Sequence, residues 1–221
     1  SSVNGAFTES RILTPELQQT YPGIKTYRIT ELPTRNQMGR LTITESGISG
    51  IIFTAQGTAY IHPLGSAYPD IHMVYFLRDS KETSRAICGV SGEITNLQPA
   101  APLAGDCQLR TYRIGIAATG EYTTWAGGSQ AAAIGYITTS INNVSAIYER
   151  EMAVRLTLVT NNSLVFTNSA TDPYSVGASI TGTNLAENHT TLTSVLTSGG
   201  IDLGMVYYNG WNGGLASVGV V

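Results

Sequence analysis

Residues 201–221 read I-D-L-G-M-V-Y-Y-N-G-W-N-G-G-L-A-S-V-G-V-V, and the way this stretch divides decides what kind of sheet the second half of the chain builds. Ile201 to Tyr208 is an apolar and aromatic run of strand length, which predicts a buried strand. Asn209 to Gly213 is built from Asn and Gly, which predicts a turn. Gly214 to Val221 is small and apolar, which predicts a second strand. Buried strands of this kind need helices to cover them.

The residues upstream supply those helices. Asn184 to Thr197 carries Leu185, Leu192, Val195 and Leu196 at helical positions, and Gly199 and Gly200 are expected to end it. Ala131 to Met152 is the clearest helical pattern, with Ile134, Ile137, Ile141, Val144, Ile147 and Tyr148 on one face. Leu109 to Ala118 and Val154 to Val159 read as strands, and Leu164 to Thr167 as a short third one. The order strand, helix, strand, helix, strand predicts a mostly parallel sheet with right-handed crossovers, of which Gly214 to Val221 is the last strand.

Residues 92–106, G-E-I-T-N-L-Q-P-A-A-P-L-A-G-D, have no period and read as a linker. The first 91 residues read as an antiparallel β domain. Arg40 to Thr44 alternates as a half-buried strand does. Ile51 to Thr54 and Thr58 to His62 flank a hairpin loop at Ala55-Gln56-Gly57. The only helix predicted there starts at Thr14 as N-cap with Pro15 at the first position, too short for a parallel crossover. The fold class is therefore α+β / α/β: an antiparallel β domain over 1–91, a linker over 92–106, and a mostly parallel sheet with two long helices over 107–221.

Hydrophobic residues make up 42% of the 221, enough for a packed core, while charged residues are only 12%, so Ser, Thr, Asn, Gln and Tyr must keep the surface wet, as in many exported proteins. A net charge of −3 without a basic stripe argues against nucleic acid. No apolar run reaches the roughly 18 residues of a membrane-spanning helix. The N-terminus has no signal-peptide pattern, so on the exported reading the signal is already absent.

His62, His72 and His189 form no H-x-x-x-H pair and read as unrelated surface or edge residues. There is no G-x-S-x-G elbow, no P-loop and no dinucleotide fingerprint. Glu149, Arg150 and Glu151 read as a solvated helix end. Cys88 stands in A-I-C-G-V-S (86–91), just before the linker. As a thiolate it is a candidate zinc ligand that could block a metal held by the next domain. Composition by itself favours a plainer reading, a small buried hydrophobe or half of a disulfide with Cys107.

Several segments resemble the reprolysin (adamalysin)-like zinc metallopeptidases, a branch of the metzincins, in their bacterial secreted form. They are C-Q-L-R-T-Y-R-I-G-I-A-A-T-G-E-Y (107–122), I-N-N-V-S-A-I-Y-E-R-E-M-A-V-R-L (141–156), N-S-A-T-D-P-Y (168–174), D-L-G-M-V-Y-Y (202–208) and G-G-L-A-S-V-G-V-V (213–221). The last is similar to the family's G-L-A-x-V-G edge strand, which lines the active-site cleft. Residues 7–91 resemble the family's propeptide, and Cys88-Gly89-Val90 its cysteine switch, in which the sulfur ligates zinc and holds the zymogen latent.

The resemblance implies a secreted zinc endopeptidase that hydrolyses peptide bonds with a metal-activated water. It assigns substrate binding to Gly214, Leu215, Ala216, Ser217 and Val218, an edge on which an extended peptide adds as one more strand. The family's H-E-x-x-H-x-x-G-x-x-H motif is absent, so no catalytic residue is assigned, no zinc is expected on this chain by itself, and it should be inactive alone. Its partners would be a peptide or protein substrate, its own propeptide, and a C-terminal catalytic segment past Val221. The alternative is a non-catalytic secreted adhesion or binding module.

Overall fold

The computed structural model describes residues 5–31, 37–65, 68, 70–81, 87–91, 108–175, 181–197, 199–210 and 213–217. The linker stretch and Cys107 lie outside them.

The first half is a meander. Strands β1 (Gly5–Glu9), β2 (Lys25–Glu31), β3 (Gln37–Thr44), β4 (Gly47–Thr54), β5 (Gly57–Pro63) and β6 (His72–Phe76) form a six-stranded sheet in sequence order. Every neighbouring pair is antiparallel, as the lack of crossover helices requires. Two hairpins are built alike. Thr44 and Thr54 each accept a hydrogen bond from the backbone two residues on, Ser46 N–H at 3.2 Å and Gln56 N–H at 3.1 Å. Gly47 at φ +111° and Gly57 at φ +125° then turn the chain back through a region that side chains disfavour. Between β1 and β2 lies helix α1 (Pro15–Thr20), capped by the Thr14 hydroxyl as predicted.

The second half holds β8 (Arg110–Ala118), α2 (Gly120–Trp125), α3 (Gln130–Met152), β9 (Val154–Leu158), α4 (Gly182–Val195) and β10 (Leu203–Tyr207). The order β10-β8-β9 is parallel throughout. The remaining strands, β7 (Ile87–Ser91) and β11 (Gly213–Ser217), pair with each other.

Several expectations need correcting. The last strand does not join the parallel sheet; among the described residues β11 pairs with β7 alone. Leu164 to Thr167 is not a strand: Asn162–Leu164 is a 3-10 turn, after which Val165 makes a single parallel bridge to Ala118. Helix α4 stops at Val195, before Gly199 and Gly200, with Leu196 N–H closing on the Leu192 carbonyl. Strand β10 is only half-buried, with Gly204 and Met205 exposed. Helix α2 is short and has no apolar period of its own; the Thr119 hydroxyl, accepting from Tyr122 N–H, starts it.

Helix α3 is buried on two sides. Its isoleucine face, Ile134, Ile137 and Ile141, packs into the core with Ile114, Ile116, Leu156 and Leu158 of the parallel sheet. Ile147 and Tyr148, predicted on that face, are exposed. In their place a small and polar stripe is buried against β3. At Gly135 an added Cβ would lie 3.3 Å from Thr44. Asn142, fully buried, donates to Leu41 O and Thr42 Oγ1, both at 3.0 Å, and accepts from Arg40 Nη1 at 3.0 Å. Glu149 ends the stripe, its side chain only 6% exposed and 2.6 Å from Arg40 Nη2. The helix end at Glu149 is therefore not solvated: it closes on the first half of the chain.

The first half also enters the second half's core directly. Ile12, Leu13, Leu17 and Ile24 belong to the same buried cluster as Ile114, Ile134 and Leu158. Leu158 N–H donates to Ile12 O at 2.8 Å and Thr14 N–H to Leu158 O at 3.4 Å, so Leu13 bridges β9 in parallel as a one-residue fourth strand. This covers the β9 edge at its carboxyl end, where the N–H and C=O of Leu158 would otherwise be open to other chains.

Candidate active-site strand

Strand β11 carries four of the five residues assigned to substrate binding. Gly213, Gly214 and Ala216 are exposed and Leu215 is half-buried. No atom lies within 4 Å of where a Cβ at Gly214 would stand, so the backbone there is open to close approach. Ser217 is placed by its backbone alone, and Val218 lies outside the described residues.

One edge of β11 is taken by β7, which brings Cys88 to it. The pairing is parallel, with Gly214 opposite Cys88, Leu215 opposite Gly89 and Ala216 opposite Val90. Sequence reading placed Cys88 before a linker without making its segment a strand; I-C-G-V-S is too short and too glycine-interrupted to show a period. What places it there is the partner edge, a tertiary feature. The Cys88 side chain is not described, and its pairing with Cys107 lies outside the described residues.

The loop 168–174 is built onto the carboxyl end of β8. Asp172 Oδ2 accepts from Gly120 N–H at 2.7 Å, and its Oδ1 accepts from Tyr174 N–H at 3.0 Å. Gly120 meets the loop so closely that a Cβ there would stand 2.1 Å from Ser169 N. Tyr174 donates from its hydroxyl to Asn188 of α4 at 3.1 Å, and burial pushes its phenol up to about 12, so it remains a donor at any physiological pH. The loop thus ties β8, α2 and α4 together.

The three histidines do not converge. His62 forms a three-ring cluster with Tyr60 and Tyr75, at centroid distances of 6.1 and 6.0 Å from them, and burial lowers its pKa. His72 accepts from Ile48 N–H at Nε2, 2.9 Å away. His189 is exposed on α4. Among the described residues no three His, Cys, Asp or Glu side chains come close enough to hold a metal ion. The zinc that the resemblance implies does not fit these residues by themselves; Cys88 could be one ligand and the described chain offers no set to complete it. A cavity of about 440 Å³ lies elsewhere, between the β3–β4 turn, β5 and the start of α3, lined by Ile24, Glu45, His62, Pro63 and Tyr136, and it shares no residue with β7 or β11. No described helix is long and apolar enough to cross a membrane.

No curated protein matches the chain. The family model described as metallo-peptidase family M12B, reprolysin-like, matches residues 108–221, which takes in β8 through β11 and the loop 168–174. Over half of its length, and with the parallel sheet and helices described above, this chain belongs to the M12B reprolysin-like metallopeptidases.

Proposed function

We propose that the chain is a zymogen fragment of a secreted zinc endopeptidase, with residues 1–91 as propeptide and residues 107–221 as the substrate-binding part of the catalytic domain. The observation that carries this reading is the seat of β7 on β11. A strand edge recognises an extended peptide through its own N–H and C=O groups, and small residues such as Gly214 and Ala216 let that peptide approach. The groups a substrate would use on this edge are those that β7 holds. Residues 87–91 therefore act as a built-in occupant, and Cys88 arrives at the cleft because its strand is paired there. The thiolate would be a zinc ligand once the histidines of an H-E-x-x-H segment, absent from this sequence, were beside it. Without them the chain does not hydrolyse peptides.

The test is a longer chain that continues from Val221 through an H-E-x-x-H segment. It is expected to purify with one zinc and to cleave peptides once residues 1–91 are removed. Cys88→Ala in that chain is expected to give activity before removal. A longer chain that holds no zinc and cleaves nothing refutes the reading and favours a non-catalytic secreted module. Unchanged latency in Cys88→Ala refutes the switch alone.

A further inference from the structure

We infer that Glu149 and the three arginines around it form a second latch, independent of Cys88 and of any metal, which holds residues 1–91 on the M12B half after the chain between them is cut and which acid weakens. Its regulatory meaning rests on the propeptide reading; its physical basis does not.

The carboxylate sits in the last turn of α3 and faces guanidiniums from three other elements. Arg40 of β3 places Nη2 at 2.6 Å, Arg28 of β2 places Nη2 at 3.5 Å, and Arg155 of β9 donates from Nε. Two of the three therefore come from the first half of the chain. Arg40 is fully buried, and Asn142 is the other group it reaches, through Nη1. These are the charged groups that face Glu149 among the described residues. Glu151, close in sequence, is engaged by Arg150 at 2.7 Å, and the Arg150 guanidinium lies 3.8 Å from the Phe53 ring centre of β4. No described carboxylate stands ready to replace Glu149.

This makes the cluster asymmetric. Removing the one negative charge leaves a buried guanidinium with a neutral amide for company and two like charges beside it, and water cannot reach Arg40 to compensate. The apolar segment 12–24 supplies cohesion of its own, and the charge cluster adds a part that responds to protons. Burial raises the Glu149 carboxyl, and the hydrogen bonds from Arg155 and Arg40 more than offset that, so its pKa falls below the usual value. A carboxyl depressed in the folded state contributes above its ordinary pKa of about 4.3 and loses that contribution as pH falls through the folded value. The latch is closed at neutral pH and opens only in acid.

The experiment uses the full chain with a site-specific protease sequence inserted in residues 93–105, cut after folding. Association of the two pieces is measured by dilution and sedimentation from pH 7.5 down to pH 3. The nicked wild type is expected to stay together at pH 7.5 and to loosen below about pH 4.5. Nicked Glu149→Gln is expected to bind its partner piece about 100-fold more weakly at pH 7.5.

Because that variant leaves Arg40 buried and unpaired, the pair Arg40→Met with Glu149→Leu is tested beside it. This pair replaces the ions by apolar side chains while Arg28 and Arg155, each about one-third exposed, turn to water. It is expected to hold together at pH 7.5 and to keep its affinity well below the wild-type acid midpoint. Association of Glu149→Gln within threefold of wild type, or the same acid midpoint in the paired variant as in wild type, overturns the latch. Association is read without peptidase activity, so the latch and the endopeptidase reading fail separately.

Discussion

Ile12→Ala tests whether the first half of the chain is part of the second half's core. Ile12 is fully buried, its carbonyl accepts from Leu158 N–H, and its cluster includes Ile114, Ile134 and Leu158. The substitution removes three carbons, about 2.4 kcal/mol of transfer free energy at ~0.8 kcal/mol each. Neighbours on every side limit collapse, so a cavity of roughly 60–80 Å³ adds about 1.7 kcal/mol. The sum, about 4 kcal/mol, lies in the upper part of the usual 2–5 kcal/mol for such changes. For a chain of this size it lowers Tm by about 8–16 °C.

The assay is urea unfolding followed by far-ultraviolet circular dichroism and by tryptophan fluorescence. Both tryptophans, Trp125 and Trp211, lie in the second half, whereas the substitution lies in the first. If residues 12–24 are core to the second half, the fluorescence transition moves with the dichroism transition and by the same free energy. A fluorescence midpoint unmoved by Ile12→Ala would refute the shared core, and with it the account of how the halves cohere.

Other consequences can be measured on the same chain. Asn142→Leu strips partners from Arg40 Nη1, Leu41 O and the Ser10 hydroxyl at once, and is expected to cost about 3 kcal/mol in the same urea assay. Gly120→Ala drives a methyl into the backbone of Ser169; a loss of about 3 kcal/mol, with faster amide exchange over 168–174, is expected. Asp202 accepts from Arg113 N–H, Nε and Nη2, which hold its carboxyl down to about 2. Its NMR titration should show a midpoint below the ordinary aspartate value, and the small stabilisation it gives, screened by solvent at this exposed pair, should be complete above about pH 4 and lost as pH falls toward 2. Because the pair is exposed, Asp202→Asn should leave the urea midpoint at pH 7 nearly unchanged.

Much of the architecture is legible in the residues. Apolar spacing marks α3 from Ile134 to Ile141, because a helix that buries one face on a sheet must repeat near 3.6. Gly47 and Gly57 sit where two-residue hairpin loops need a positive φ, and the absence of a long crossover helix between β1 and β6 leaves only antiparallel pairing within that sheet. The G-G-L-A-S run shows its strand character and its open backbone without any coordinates. These are local properties, written in side-chain size and period.

What the residues do not reveal depends on a partner far away in sequence. Glu149 has the spacing of an exposed helix end; only the arrival of Arg40 and Arg28 on neighbouring strands buries it. Asn142 and Gly135 interrupt an apolar pattern, and become core positions because β3 lies against them. The short segment around Cys88 has no strand signal of its own, and β11 has none that names its neighbour. Backbone pairing is bought from whichever edge lies free, so it was the tertiary structure that took β11 away from the parallel sheet and set it beside Cys88.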